Sequence, residues 1–264
     1  RAENAQDVPI AISALTASAL EQRADAERPR QRRIAAQLCQ LVGKARQAID
    51  CGADAVDGGR VGVGADDHLA REGKQPVITL DVNPLDPALA KKVQREVTGS
   101  IMDKSLLERV LSEFEVETVY HLAALLSTRS EFTPVTAHSV NVEGTLKLLE
   151  FAQREGESHG RPVTFVYPSS IAAYGLPDAA TKMQAGRVHE DEWNTPRTMY
   201  GCNKLYCEQL GTYYARHYKQ LAVDAVSRVD FRAVRFPGLI SAFTVPSGGT
   251  SDYAPEMIHA AARN

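Results

Sequence analysis

The chain has 264 residues with 44% hydrophobic content, enough for one α/β domain with a buried core and some additional chain. A net charge of -3 and a pI near 6.2 exclude a general electrostatic pull toward nucleic acid or an anionic membrane. No apolar run is long enough to span a bilayer and no signal-peptide pattern opens the chain, so a soluble cytoplasmic protein is expected. Cys39, Cys51, Cys202 and Cys207 lack the CxxC spacing of zinc or redox sites and read as reduced thiols.

In chain order, residues 1 to about 70 are rich in Ala, Arg, Gln and Asp, with one helix expected from Arg33 to Ile49 and no clear strand. The basic cluster from Arg28 to Arg33 reads as a solvated face. After residue 70 the pattern becomes regular. Apolar runs at Pro76–Leu80, Glu117–Leu122, Val163–Tyr167 and Phe231–Phe236 alternate with amphipathic stretches at Leu106–Phe114, Val135–Arg154 and Met199–His217. Strand, helix, strand in this order predicts parallel βαβ units and a doubly wound α/β sheet, which binds ligands at the carboxyl ends of its strands.

The polar residues at those strand ends carry the candidate chemistry. Asp81 closes the first run, where a carboxylate can accept hydrogen bonds from an adenosine ribose diol and so favour NAD; it can equally serve the turn before Asn83-Pro84. Asp103 is placed either to receive an adenine amino group or to cap the helix near Leu106. Leu122, Ala123 and Ala124 leave small side chains where a flat cofactor needs close approach. Asn141, a poor helix-interior residue just before Gly144, is a candidate prop for Lys204, or an exposed helical Asn. Ser169 and Ser170 follow an apolar strand, and Ser170 can bind a substrate oxygen or cap the next turn. Tyr200 and Lys204 stand four residues apart on one helix face, so an ammonium lies near a phenol that ordinarily titrates near 10. A charge so placed favours the phenolate, a general base for taking a proton from an alcohol.

Together these ordered motifs, from about Lys74 to Ala261, resemble the extended short-chain dehydrogenase/reductase family, which includes nucleotide-sugar epimerases and dehydratases. Within it, Arg235-Phe236-Pro237-Gly238 and the later Gly248-Gly249-Thr250-Ser251-Asp252-Tyr253 look most like the short-chain type of L-threonine 3-dehydrogenase. The resemblance implies a Rossmann-like fold, NAD as cofactor, a small-molecule substrate and no metal. It implies oxidation of L-threonine at C3 to 2-amino-3-ketobutyrate, with Tyr200 as base, Lys204 on the nicotinamide ribose and Ser170 on the reacting oxygen. Ser127, Thr250 and Asp252 match positions in or near the substrate pocket, Pro237 would present its backbone to the carboxamide, and a homodimer through the helices carrying Asn141 and Tyr200 is expected. A nucleotide-sugar epimerase or dehydratase, and a catalytically silent relative that binds a ligand, are the alternative readings.

The chain departs from that pattern in its first part. A glycine-rich turn should follow an apolar strand about 25 to 30 residues before Asp81, whereas the stretch from Cys51 to Gly64 has glycines without that strand or spacing. Residues 1–70 are therefore expected to be an atypical extension lacking the glycine-rich first unit, either remodelled or, as the abrupt loss of strand pattern favours, with residues 1–67 in a shifted reading frame. Residues 71–264 form the NAD-binding and catalytic domain, with substrate-loop elements at about 176–198 and 238–264 and part of the C-terminal substrate region missing after Asn264. The segments Asp178–Trp193 and Val223–Asp230 look longer than their counterparts in the threonine enzyme.

Overall fold

A computed structural model describes residues 7–12, 77–85, 87–238 and 253–263. Six strands, β1 (Asp7–Ile12), β2 (Ile78–Asp81), β3 (Arg95–Thr98), β4 (Glu115–His121), β5 (Val163–Ser170) and β6 (Val229–Phe236), make one sheet in the order β3-β2-β1-β4-β5-β6. Every neighbouring pair is parallel, so all the carboxyl ends lie along one edge. The strand order reverses between β1 and β4, the place where doubly wound sheets take ligands.

The interior strands are apolar on both faces, as parallel strands covered by helices must be. In β5, Val163, Phe165, Val166 and Tyr167 are all buried, and Val116 and Val119 of β4 are fully so. Helix α1 (Pro87–Ala90) precedes β3; α2 (Lys104–Glu113) buries Leu106, Leu107 and Val110. Then come α3 (Ser127–Phe132), α4 (Pro134–His138), a π-helical turn at Ser139–Glu143, and α5 (Gly144–His159). Leu148, Leu149, Phe151 and Ala152 form the buried face of α5, which stops at Gly160 in the left-handed conformation. After β5 follow a short 3-10 turn (Ile171–Ala173), α6 (Ala179–Ala185) and α7 (Met199–Arg216), and α8 (Tyr253–Arg263) comes last. Helix α5 packs between α2 and α7, α5 lies on β4 and β5, and α7 lies on β5 and β6.

Two expectations are corrected. The first 70 residues do contain a strand: β1 sits at the centre of the sheet, paired with both β2 and β4. Pro9 hides it in the sequence, because proline argues against a central strand. The sheet accommodates it at a register shift between Val8 and Pro9. The single helix expected over Val135–Arg154 is split by the π-turn, a form of helix often found at functional sites. The expected helix Arg33–Ile49 and the glycines between Cys51 and Gly64 lie outside the described residues.

Candidate active site

Helix α7 delivers the Tyr–Lys pair to the end of β5. Thr198 caps its first turn by accepting from Gly201 N at 3.0 Å, and Glu131 of α3 accepts from Met199 N at 2.6 Å. Gly201, next to Tyr200, is required by close packing: a Cβ there would lie 2.1 Å from the Ala172 carbonyl oxygen. The helix therefore meets the backbone of the turn that begins at Ser170 with no room for a side chain between them.

Lys204 is buried, and its Nζ donates to the Pro168 carbonyl of β5 at 2.6 Å. The ammonium lies 4.6 Å from the Tyr167 ring centroid and 5.4 Å from that of Tyr200. Burial pushes the Lys204 ammonium down to about 8. The sequence reading that Lys204 draws the Tyr200 phenol downward is corrected here: desolvation dominates and pushes the phenol up to about 12.

Ser170 Oγ accepts from Ala172 N at 3.1 Å, capping the 3-10 turn while its own proton stays available for another acceptor. Asn141 is buried within the π-turn, which rules out the exposed helical Asn. Its Oδ1 accepts from Leu125 N at 2.7 Å, and its Nδ2 donates to Leu125 O at 3.1 Å and to Asn203 Oδ1 at 3.3 Å. It thus ties the loop after β4 to α7 one residue before Lys204. The Asn141 carbonyl also accepts from Thr145 Oγ1 at 2.5 Å and from the buried Cys207 thiol at 3.2 Å. Asn141 and Gly144, both poor choices for a helix interior, were the visible signals of an irregular helix.

Among the remaining expected residues, Asp81 stands at the end of β2 and its Oδ1 accepts from Asn83 N at 2.8 Å, forming the turn. Asp103 caps α2, accepting from Ser105 N and Leu106 N. Leu122 is buried at the end of β4, Ala123 and Ala124 are half-buried behind it, and Ser127 opens α3. Pro237 directly follows β6, one residue past Phe236, which pairs with Ser170. The structure therefore gathers Ser170, Tyr200 and Lys204 at the end of β5, with Pro237 across the next strand, while Asp81 lies at the end of β2 beyond the central strand. Thr250 and Asp252 lie outside the described residues.

Sequence reasoning missed the Pro168 carbonyl, Asn203 and Glu208. Glu208 was within reach, since it continues the Tyr200–Lys204 stripe by one more helical turn. Cys202 is exposed and Cys207 buried, both free, as their positions on one helix require. Among the described residues no cluster of His, Cys, Asp and Glu has the arrangement of a metal site, and no helix is long and apolar enough to cross a membrane.

A parallel sheet in this order, with a tyrosine and a lysine on the helix packed against a strand that ends in serine, has the Rossmann-like architecture of the extended short-chain dehydrogenase/reductase type. The chain belongs to the NAD-dependent epimerase/dehydratase family, whose model matches residues 58–264. An uncharacterized epimerase/dehydratase of Staphylococcus aureus (strain USA300) is 38% identical over 163 residues, covering 62% of this chain and 44% of that protein. Among solved structures, a partial consensus L-threonine 3-dehydrogenase is 33% identical, with a TM-score of 0.54, over 70% of this chain and 52% of the other. The holo form of a GalE-like L-threonine dehydrogenase from Cupriavidus necator is 28% identical, with a TM-score of 0.61, over 96% and 62% of the two chains. The chain thus spans about half the length of the curated relatives it matches.

Proposed function

We propose that the chain oxidises the C3 hydroxyl of L-threonine to 2-amino-3-ketobutyrate with NAD, using Tyr200 as the base. The observation that carries this reading is the convergence of Ser170, Tyr200 and Lys204 at the end of β5, in a chain whose solved neighbours include L-threonine dehydrogenases. The described residues fit NAD: a carboxylate ends β2, small residues follow β4, and a buried ammonium stands by the phenol. Asp81 would hold the adenosine ribose, Asp103 the adenine, Leu122, Ala123 and Ala124 the stacked rings, and Lys204 the nicotinamide ribose. Asn141 would keep the β4 loop in place beneath them, and Pro237 would offer its backbone to the carboxamide. Residues 71–264 act as the catalytic unit, completed by β1 from the first 70 residues at the centre of its sheet.

When bound, oxidised NAD supplies the hydride acceptor and a positively charged ring. Ser170 donates its free proton to the reacting oxygen, orienting the C3 hydroxyl toward Tyr200. Only the phenolate of Tyr200 can take that hydroxyl's proton, so the charge of Lys204 in a dry site, together with that of the bound nicotinamide ring, would have to offset the desolvation that holds the phenol protonated. Ser127, Thr250 and Asp252 would line the substrate side, with Asp252 the carboxylate suited to the substrate ammonium. The same reading includes a cytoplasmic homodimer through the helices that carry Asn141 and Tyr200. Apolar Phe132 and Val135, 81% and 83% exposed, and half-exposed Tyr206 supply surface for that contact.

The test is to mix the purified chain with NAD and L-threonine and follow the absorbance of reduced cofactor. Turnover that is lost in Tyr200→Phe supports the reading. Turnover of a nucleotide sugar with none of threonine would replace it, and absence of NAD binding would reject it.

A further inference from the structure

Beyond Lys204, the stripe on α7 continues to Glu208, whose carboxylate joins three elements. Ser169 Oγ of β5 donates to Glu208 Oε1, while Arg235 of β6 donates from Nε to Oε1 at 2.8 Å and from Nη2 to Oε2 at 2.6 Å. The two side chains are only 7% and 13% exposed, for Arg235 and Glu208 respectively. The other face of the Arg235 guanidinium lies 4.4 Å from the ring centroid of Tyr174, just after the 3-10 turn that Ser170 caps. Ser169 and Arg235 are direct partners across the β5–β6 ladder, and the next pair is Ser170 with Phe236.

Successive turns of α7 therefore grip successive residues of β5. Lys204 holds the carbonyl of Pro168, Glu208 holds the hydroxyl of Ser169, and Ser170 comes next. An ion pair so buried is weak evidence of added stability, because desolvation offsets most of its Coulombic gain. A bidentate guanidinium–carboxylate pair does fix direction and register. We infer that Glu208 and Arg235 are positioning residues that lock β5, β6 and α7 in the one register that brings Ser170 to Tyr200. The inference rests on the oxidoreductase reading for its catalytic consequence, and on geometry alone for the lock.

The double variant Glu208→Gln/Arg235→Met removes both charges of the pair at nearly constant volume, so neither partner is left as an unpaired ion. Its fold is followed by the urea midpoint. The lock is read by carbon NMR of protein labelled at the tyrosine ring, with the Tyr200 resonance identified by its absence in Tyr200→Phe. The lock predicts a folded variant in which the Tyr200 resonance moves and kcat falls by about 10- to 100-fold with KM unchanged, the size expected when reacting groups are displaced by a fraction of an ångström or more. A folded variant with an unmoved Tyr200 resonance and the parental kcat would overturn it and leave a purely structural pair. Should the double variant not fold, Ser169→Ala, which spares the ion pair, must move the Tyr200 resonance away from its position in the parent, and an unmoved resonance there overturns the inference. Failure of the parent chain to turn over would reject the proposed reaction while the NMR arm still decides the lock.

Discussion

Adding one methyl group at Gly201 tests how tightly the catalytic helix is seated. In an exposed helix interior Gly→Ala stabilises by about 1 kcal/mol. Here the new Cβ would lie 2.1 Å from the Ala172 carbonyl oxygen and 2.9 Å from Pro196 Cβ. A carbon and a carbonyl oxygen come no closer than roughly 3.3 Å without strain, so one of the two backbones must retreat by about an ångström. Overpacking of this kind costs about 1 to 3 kcal/mol, which matches or exceeds the propensity gain. The sign is therefore neutral to destabilising, with a net loss of up to about 2 kcal/mol. Because Tyr200 and Ser170 lie on the two backbones that separate, a shift of that size lowers kcat by about 100-fold. Urea unfolding gives the first quantity and NAD-linked turnover the second. A Gly201→Ala chain that is more stable than the parent by the full propensity gain, with unchanged kcat, would refute the close seating of α7 on the Ser170 turn.

The other predictions concern the same elements. Lys204 has a folded value of about 8 against 10.5 in a free side chain, so the unfolded chain binds more protons between those values and stability rises with pH across that window. Unfolding free energy measured from pH 7.5 to 9, below the range where the raised Cys207 thiol and buried phenols act in the opposite direction, will show this rise, and Lys204→Met will remove it together with turnover. Asn141→Ala removes the partners of the Leu125 N–H and carbonyl and will cost about 2 to 4 kcal/mol in urea unfolding; a loss under about 0.5 kcal/mol would mean that water replaces the amide fully. Val135→Glu places a charge on the apolar face of α4, and sedimentation will show a dimer of the parent giving way to monomer, with a monomeric parent contradicting the proposed contact.

The sequence made some of this legible and concealed the rest for identifiable reasons. β5 could be read because Val163 to Tyr167 is apolar on both faces, and the helix face shared by Tyr200 and Lys204 follows from spacing alone. β1 could not, because Pro9 contradicts a central strand and only the register shift beside it resolves the conflict. β3, with Arg95 and Glu96, is an edge strand too short and too charged to show a pattern. Asn141 and Gly144 marked an unusual helix, but the partner of Asn141 is fixed by the loop at Leu125, which periodicity does not locate. The direction of the Tyr200 shift was misread because proximity to Lys204 is a matter of spacing, while desolvation depends on everything packed around both groups. Glu208 on α7 and Arg235 on β6 are far apart in the chain, and only the packing of α7 on β5 and β6 brings them together.

The central claim is that Tyr200 is the base of an NAD-linked alcohol oxidation. Its most direct measurement is the formation of reduced cofactor by the purified chain with NAD and L-threonine, beside Tyr200→Phe at equal concentration. Turnover by the parent, with kcat reduced by about 100- to 10,000-fold in the variant and NAD affinity unchanged, is the predicted result. Equal rates in the two proteins, or NAD bound with no oxidation of threonine, would contradict it.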